Sequence, residues 1–288
     1  IQSGFGIATL SDPGTINRPA YGHHARGTAM SAPENRFKAQ LERGARSVGL
    51  WMGLCDPYSA EIVATSGFDW VLIDGEHAPN DLAAITRQLA VIEPHCAPVV
   101  RLPMAEPWLI KQVLDAGVQT LLIPMVISAE QARAAVAAMR YPPEGIRGMG
   151  HAMGRASCWG SVPDYTRTAN AQMCLIVQIE SREAVDNLDE ILAVEGVDAA
   201  FVGPADLAAD MGYTHDINAP EMLELVAATL GRIRDAGKPA GIIDFSDEAN
   251  ARHFDSGAQF VAVGSDVMLL KSALSGLARQ WTTRVRAN

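Results

Sequence analysis

The chain has 288 residues, 48% of them hydrophobic, with 25 Gly and 16 Pro; this excludes a disordered or fibrous protein and suits one large folded domain or two ordinary ones. Its formal net charge of −10, from 23 basic and 33 acidic residues, disfavours nucleic acid and anionic membrane as partners. No apolar run approaches the roughly 18 residues of a membrane span, no secretory leader is visible, and Cys55, Cys96, Cys158 and Cys174 lack CxxC spacing, all of which fits a reducing, cytoplasmic setting without disulfides.

Residues 1–29 are rich in Gly, Pro and Thr and show no sustained helical period. They read as a vector-derived or disordered leader, which makes His23 and His24 poor ligand candidates. Met30 then opens SAPENRFKAQLERG, a short amphipathic helix, and a single domain is expected over residues 30–288. From residue 47 onward, short apolar runs predict strands over 48–54, 69–74, 98–102, 119–125, 174–180, 198–203, 239–244 and 260–264. Helical patterns between them include 83–93, 130–139 and 221–237. The near-continuous apolarity of the runs fits parallel strands buried on both faces. Glycines in SGFDW, DAGVQ, DAGKP and DSGAQ mark helix ends ahead of the next strand. Eight strands so spaced predict a closed (β/α)8 TIM barrel, with an open doubly wound sheet as the alternative. Residues 140–173 read as one long irregular connection, of the kind that serves as a lid or an interface. After the eighth strand, residues 267–285 predict a long amphipathic helix that covers its own barrel or packs on a neighbouring subunit.

A parallel barrel gathers the carboxyl ends of its strands on one face, so the residues there are the candidate site. Strand 5 ends in VQIES, giving Gln178 and Glu180, and strand 6 runs into GPAD, giving Asp206 one strand-plus-helix repeat later. Two carboxylates delivered to one face can share a divalent cation, Mg²⁺ or Mn²⁺ with Co²⁺ or Zn²⁺ as substitutes. Taken singly, each could instead cap a helix. Gln178, two residues before Glu180, faces the same way and could support that site. In GPAD, Pro204 opens a helical turn and leaves the amides of Ala205 and Asp206 to bind a carboxylate. Strand 3 ends in VVRLP, where Arg101 can neutralise an oxyanion or pair with Asp74. Strand 2 ends in LIDGEH. There Asp74 and His77 suggest an acid/base dyad, and Glu76 a structural group bonding loop amides. The only lysines are Lys38, Lys111, Lys238 and Lys271, none at a strand's carboxyl end, so Schiff-base chemistry is disfavoured. No GxGxxG or GxxxxGK[ST] loop indicates a nucleotide cofactor.

At LIDGEHAPND (72–81), VVRLP, YPPEGIRG (141–148), VQIES and VGPADL (202–207) the chain resembles the metal-dependent (class II) pyruvate aldolases. Specifically, it resembles the family of 4-hydroxy-2-oxoheptane-1,7-dioate aldolase, related to 2-dehydro-3-deoxyglucarate aldolase. The match runs in register from about Phe37 to the last helix. It implies reversible aldol cleavage of 4-hydroxy-2-oxo acids to pyruvate and an aldehyde, in cytoplasmic catabolism of aromatic compounds. Glu180 and Asp206 would bind the cation, Arg101 the keto oxygen, and the Ala205 and Asp206 amides the carboxylate. Gln178 would support the site, and Asp74 with His77 would form the dyad, with histidine or a metal-bound water as the base. The resemblance also implies a homohexamer exchanging C-terminal helices, in which Asp115 reaches a neighbour's site. Loss of Arg101 is then expected to keep the fold and cripple turnover. Rival readings are a decarboxylase or acyl-CoA lyase using the same enolate chemistry, and a non-catalytic keto-acid-binding barrel; the scarcity of basic residues argues against a CoA lyase.

Overall fold

The computed structural model describes residues 30–286. The leader expected over residues 1–29, with His23 and His24, lies outside the described residues. The elements run α1 (Arg36–Glu42), β1 (Ser47–Met52), α2 (Pro57–Thr65), β2 (Trp70–Asp74), α3 (Leu82–Ile92), β3 (Ala97–Arg101), α4 (Pro107–Asp115), β4 (Thr120–Ile123), α5 (Ala129–Met139), α6 (Tyr165–Gln172), β5 (Cys174–Ile179), α7 (Arg182–Asp186), α8 (Leu188–Leu192), β6 (Val197–Val202), α9 (Pro204–Asp210), α10 (Pro220–Asp235), β7 (Ala240–Ile243), α11 (Asp247–Asp255), β8 (Phe260–Ser265) and α12 (Asp266–Arg286). The strands close in sequence order into a parallel barrel, β1 pairing with both β2 and β8. The closed form therefore holds and the open sheet does not.

Alternation along each strand explains how a nearly continuous apolar run serves two faces. In β2, Val71 and Ile73 join the layer between barrel and helices, while Trp70 and Leu72 fill the barrel with Val99, Leu122, Ile176, Phe201 and Phe260. Gly49, paired with Trp70 across β1 and β2, leaves room for that indole, because a Cβ there would lie 2.2 Å from it. Phe37 of α1 plugs the amino-terminal end, its ring centroid 5.7 Å from Trp70 and 5.4 Å from Phe260. At the other end Asp266 accepts from the N–H groups of Gly53 (2.8 Å) and Leu54 (3.2 Å), tying the start of α12 to the loop after β1.

Two expectations change in detail. Strand 4 stops at Ile123 rather than at residue 125, because Pro124 offers no N–H and Met125 turns left-handed at φ 54°. The connection over 140–173 is not wholly irregular: it holds two short 3-10 turns and helix α6, whose buried residues are Tyr165 and Ala169. Helix α12 forms as expected, yet Asp266 is its one buried residue among those described. Among the described residues, no helix is long and apolar enough to cross a membrane.

Candidate active site

The inward-facing positions that end β2, β3 and β5 are Asp74, Arg101 and Gln178, and Glu180 follows one residue past the end of β5. All four are buried, at 4%, 5%, 3% and 3% exposure. Polar groups at this depth are costly unless paired, and here they pair with one another. Arg101 Nε and Nη2 donate to the two oxygens of Asp74 at 2.9 and 2.7 Å, a bidentate clamp. Its Nη1 lies 2.8 Å from Glu76 Oε2, and its guanidinium carbon sits 4.8 Å from the Trp51 ring centroid. Three of the five guanidinium N–H bonds are thus committed, leaving one on each terminal nitrogen for a ligand.

Asp74 also accepts from Trp51 Nε1 (3.0 Å) and from the main-chain N–H groups of Glu76 (3.0 Å) and His77 (3.3 Å). Burial opposes its ionisation, but the Arg101 guanidinium and these donors outweigh it and hold the carboxyl below its usual value. The expected dyad takes a different form. Asp74 meets His77 through the peptide N–H, while the imidazole, 65% exposed, places Nε2 4.0 Å from Glu76 Oε2. Asp74 has no lone pair to spare for the ring once Arg101, Trp51 and the two main-chain N–H groups are bound. Glu76, read from sequence as a loop-bonding group, instead lies between Arg101 and His77. Burial pushes its carboxyl up, with Arg101 and His77 opposing and Asp74 and Asp206 adding repulsion.

Glu180 Oε1 accepts from the Met125 N–H at 2.7 Å, and Oε2 accepts from Gln178 Nε2. Burial pushes its pKa up to about 6, with repulsion from Asp206 and Glu76 reinforcing the shift and the Met125 and Gln178 donors opposing it. Gly203 packs against this pair: a Cβ there would lie 2.7 Å from Glu180 Oε2 and 2.9 Å from Gln178 Nε2. The Gly of GPAD is therefore a steric requirement of the site. Asp206 stands in the first turn of α9, where Leu207 N–H to Gly203 O (3.1 Å) is the first helical bond, so the Ala205 and Asp206 amides precede the ladder.

Other strand ends are occupied. Asp244, after β7, accepts from the N–H groups of Phe245 (2.7 Å) and Ser246 (3.1 Å) and meets His253 Nε2 at 3.1 Å. Asp115 lies at the end of α4, remote from the strands' carboxyl ends, and pairs with the fully buried Arg147 at 2.7 Å. It does not join the site of its own protomer. His151 packs against Tyr141 in the same cluster, not at the site.

The donor set suits a hard divalent cation. Glu180 and Asp206 offer carboxylate oxygens whose charges repel each other, and the buried Gln178 Oε1 has no hydrogen-bond partner. Among the described residues no cluster of three His, Cys, Asp or Glu stands ready to ligate, so the carboxylate pair would be the protein's share.

Residues of this chemistry at the carboxyl mouth of a closed parallel barrel define a (β/α)8 enzyme. The family description HpcH/HpaI aldolase/citrate lyase matches residues 47–273. The chain belongs to this family and is a lyase. A hydroxypyruvate/pyruvate aldolase of Roseovarius nubinhibens is 56% identical over 255 residues, 88% of this chain and 99% of that protein. A 4-hydroxy-2-oxo-heptane-1,7-dioate aldolase of Escherichia coli is 51% identical over 255 residues, 88% of this chain and 97% of that protein. Among solved structures, an HpcH/HpaI aldolase/citrate lyase family protein from Burkholderia cenocepacia has a TM-score of 0.81 at 40% identity, covering 88% of this chain and 99% of that one.

Proposed function

We propose that the protein catalyses reversible aldol cleavage of 4-hydroxy-2-oxo acids to pyruvate and an aldehyde, with a divalent cation held by Glu180 and Asp206. The observation that carries this reading is the buried cluster at the ends of β2, β3 and β5, where Arg101 keeps free N–H groups beside a carboxylate pair. When bound, Mg²⁺ or Mn²⁺ (or Co²⁺ or Zn²⁺ in their place) polarises the 2-oxo carbonyl and offsets negative charge on its oxygen.

The chain's own residues do the rest. The Ala205 and Asp206 amides hold the substrate carboxylate. Arg101, fixed by Asp74, Glu76 and Trp51, donates to the keto oxygen, and Gln178 orients Glu180. His77, at the exposed mouth beside Glu76, takes the C4 hydroxyl proton. The electrons of the C3–C4 bond move into the pyruvate enolate as C4 becomes the aldehyde carbonyl, and C3 is then protonated. Asp74 acts in this scheme through Arg101 rather than through the imidazole.

Residues 30–288 form one catalytic domain on this reading, working in the cytoplasm on small keto acids and aldehydes. The protein assembles as a homohexamer, with Asp115 turned to a neighbour's site. The exposed Leu269, Leu270, Leu274, Leu277 and Trp281 of α12 support such packing. The test is pyruvate release from a panel of 4-hydroxy-2-oxo acids by EDTA-stripped protein, before and after adding Mn²⁺ or Mg²⁺. Release that appears only with metal is expected; background release from every donor overturns the reading.

A further inference from the structure

We propose that Met125 is a positioning residue for Glu180: its left-handed backbone turns the peptide N–H into the barrel and fixes the carboxylate in the pose that receives the cation. The inference rests on reading Glu180 as a ligand and extends it to a residue whose side chain takes no part.

The left-handed region is unfavourable for an L-residue with a Cβ, so an occupant other than Gly needs a compensating interaction. Side-chain packing does not supply one. Met125 is 54% exposed, although the flanking Pro124 and Val126 are buried. The compensation is the main-chain N–H, which donates to Glu180 Oε1 at 2.7 Å. Such a bond to a carboxylate is charge-assisted and stronger than an ordinary amide bond. The other described non-glycine residues at positive φ are Cys55, Cys158 and Trp159. Of these, Cys158 and Trp159 direct their N–H groups to the local carbonyls of Arg155 and Gly154, and Cys55 bonds the nearby Gly53 carbonyl through its thiol. Met125, by contrast, sends its N–H to an acid following another strand. Pro124 contributes by ending β4, which releases the next residue from the sheet. Gln178 holds the second oxygen of Glu180, so the carboxylate is gripped from both sides. A partner of a metal ligand that fixes its orientation typically governs affinity as well.

The test compares wild type, Met125→Gly and Met125→Val as full-length chains stripped with EDTA. Mn²⁺ is titrated by calorimetry, with bound ion followed by electron paramagnetic resonance and fold by circular dichroism. Glycine keeps the N–H and accepts the left-handed turn, so its Mn²⁺ affinity should stay within about twofold while its thermal midpoint rises. Valine resists that turn, so the N–H leaves Glu180 and affinity should fall about tenfold or more. Wild-type affinity in a folded valine variant overturns the proposal, as does a tenfold loss in the glycine variant. If valine does not fold, the glycine variant decides, and an unchanged midpoint overturns the proposal. A wild-type chain that binds no Mn²⁺ defeats the ligand reading and this inference together, whereas binding by wild type with an unaffected valine variant defeats this inference alone.

Discussion

Arg101 shows what a single residue's surroundings change. From sequence its removal is expected to leave the fold intact, but in the structure its guanidinium binds both Asp74 and Glu76. Arg101→Ala strands two partly buried carboxylates, so a stability loss on the order of 3 kcal/mol should accompany the loss of turnover. Arg101→Lys, which keeps charge but not the bidentate fork, should lower kcat by about 10²-fold with a smaller shift in thermal midpoint. Equal midpoints for the alanine variant and wild type would contradict the buried-clamp account. The carboxyls respond to pH with opposite signs. Asp74 has a lowered folded-state pKa, so its stabilisation is complete above its unfolded value near 3.9 and is lost as pH falls below that. Glu180 is raised to about 6, so the metal-free protein gains stability as pH falls from about 6 toward 4.5. Thermal midpoints in EDTA should therefore rise on going from pH 7 to 5, and Glu180→Gln should flatten that rise. The charged residues of the site are legible in sequence because each interrupts an apolar strand end. Glu76's bridge to Arg101 is not, since it depends on β2 and β3 lying side by side.

Among whole elements, α12 and α6 show opposite limits of reading from pattern. Helix α12 is plain in sequence because its leucines recur at helical spacing, and those leucines are left exposed. If a second copy covers them, Leu274→Glu with Leu277→Glu should reduce the mass measured by light scattering while circular dichroism stays unchanged. A monomeric wild type would remove the basis for the exchanged-helix assembly. Helix α6, YTRTANAQ, is hard to see because so few of its side chains are apolar. It is fixed by distant bonds, such as Asn170 Oδ1 accepting from the Tyr141 N–H at 2.8 Å. The strands lie between these cases: their number and order follow from alternating runs, while the end of β4 depends on the local geometry of Pro124 and Met125.

Over the whole molecule, the two ends of the barrel carry separate burdens. The amino-terminal end is an aromatic plug of Phe37, Trp70 and Phe260, and the carboxyl end holds the charged cluster. Phe37→Ala should cost about 3–5 kcal/mol of stability, read by urea denaturation, with kcat little changed at temperatures where the variant stays folded. Gly203→Ala should do the reverse, displacing Glu180 and lowering metal affinity while leaving the denaturation midpoint within a few degrees. A matching loss in both measurements for either variant would argue against this division. The fold also buries three of its four thiols. Cys96, Cys158 and Cys174 are buried, and only Cys55, just past β1, is partly open. Burial pushes the Cys96 thiol up to about 12 and Cys174 well above its ordinary value, leaving almost no thiolate at neutral pH. Burial and the nearby carboxylates of Asp266, Asp74 and Asp81 raise the Cys55 thiol as well, so exposure is what singles it out. A maleimide dye should attach once per folded chain, at the rim of the mouth, giving an optical reporter of loop movement there without any cysteine having to be engineered in or out.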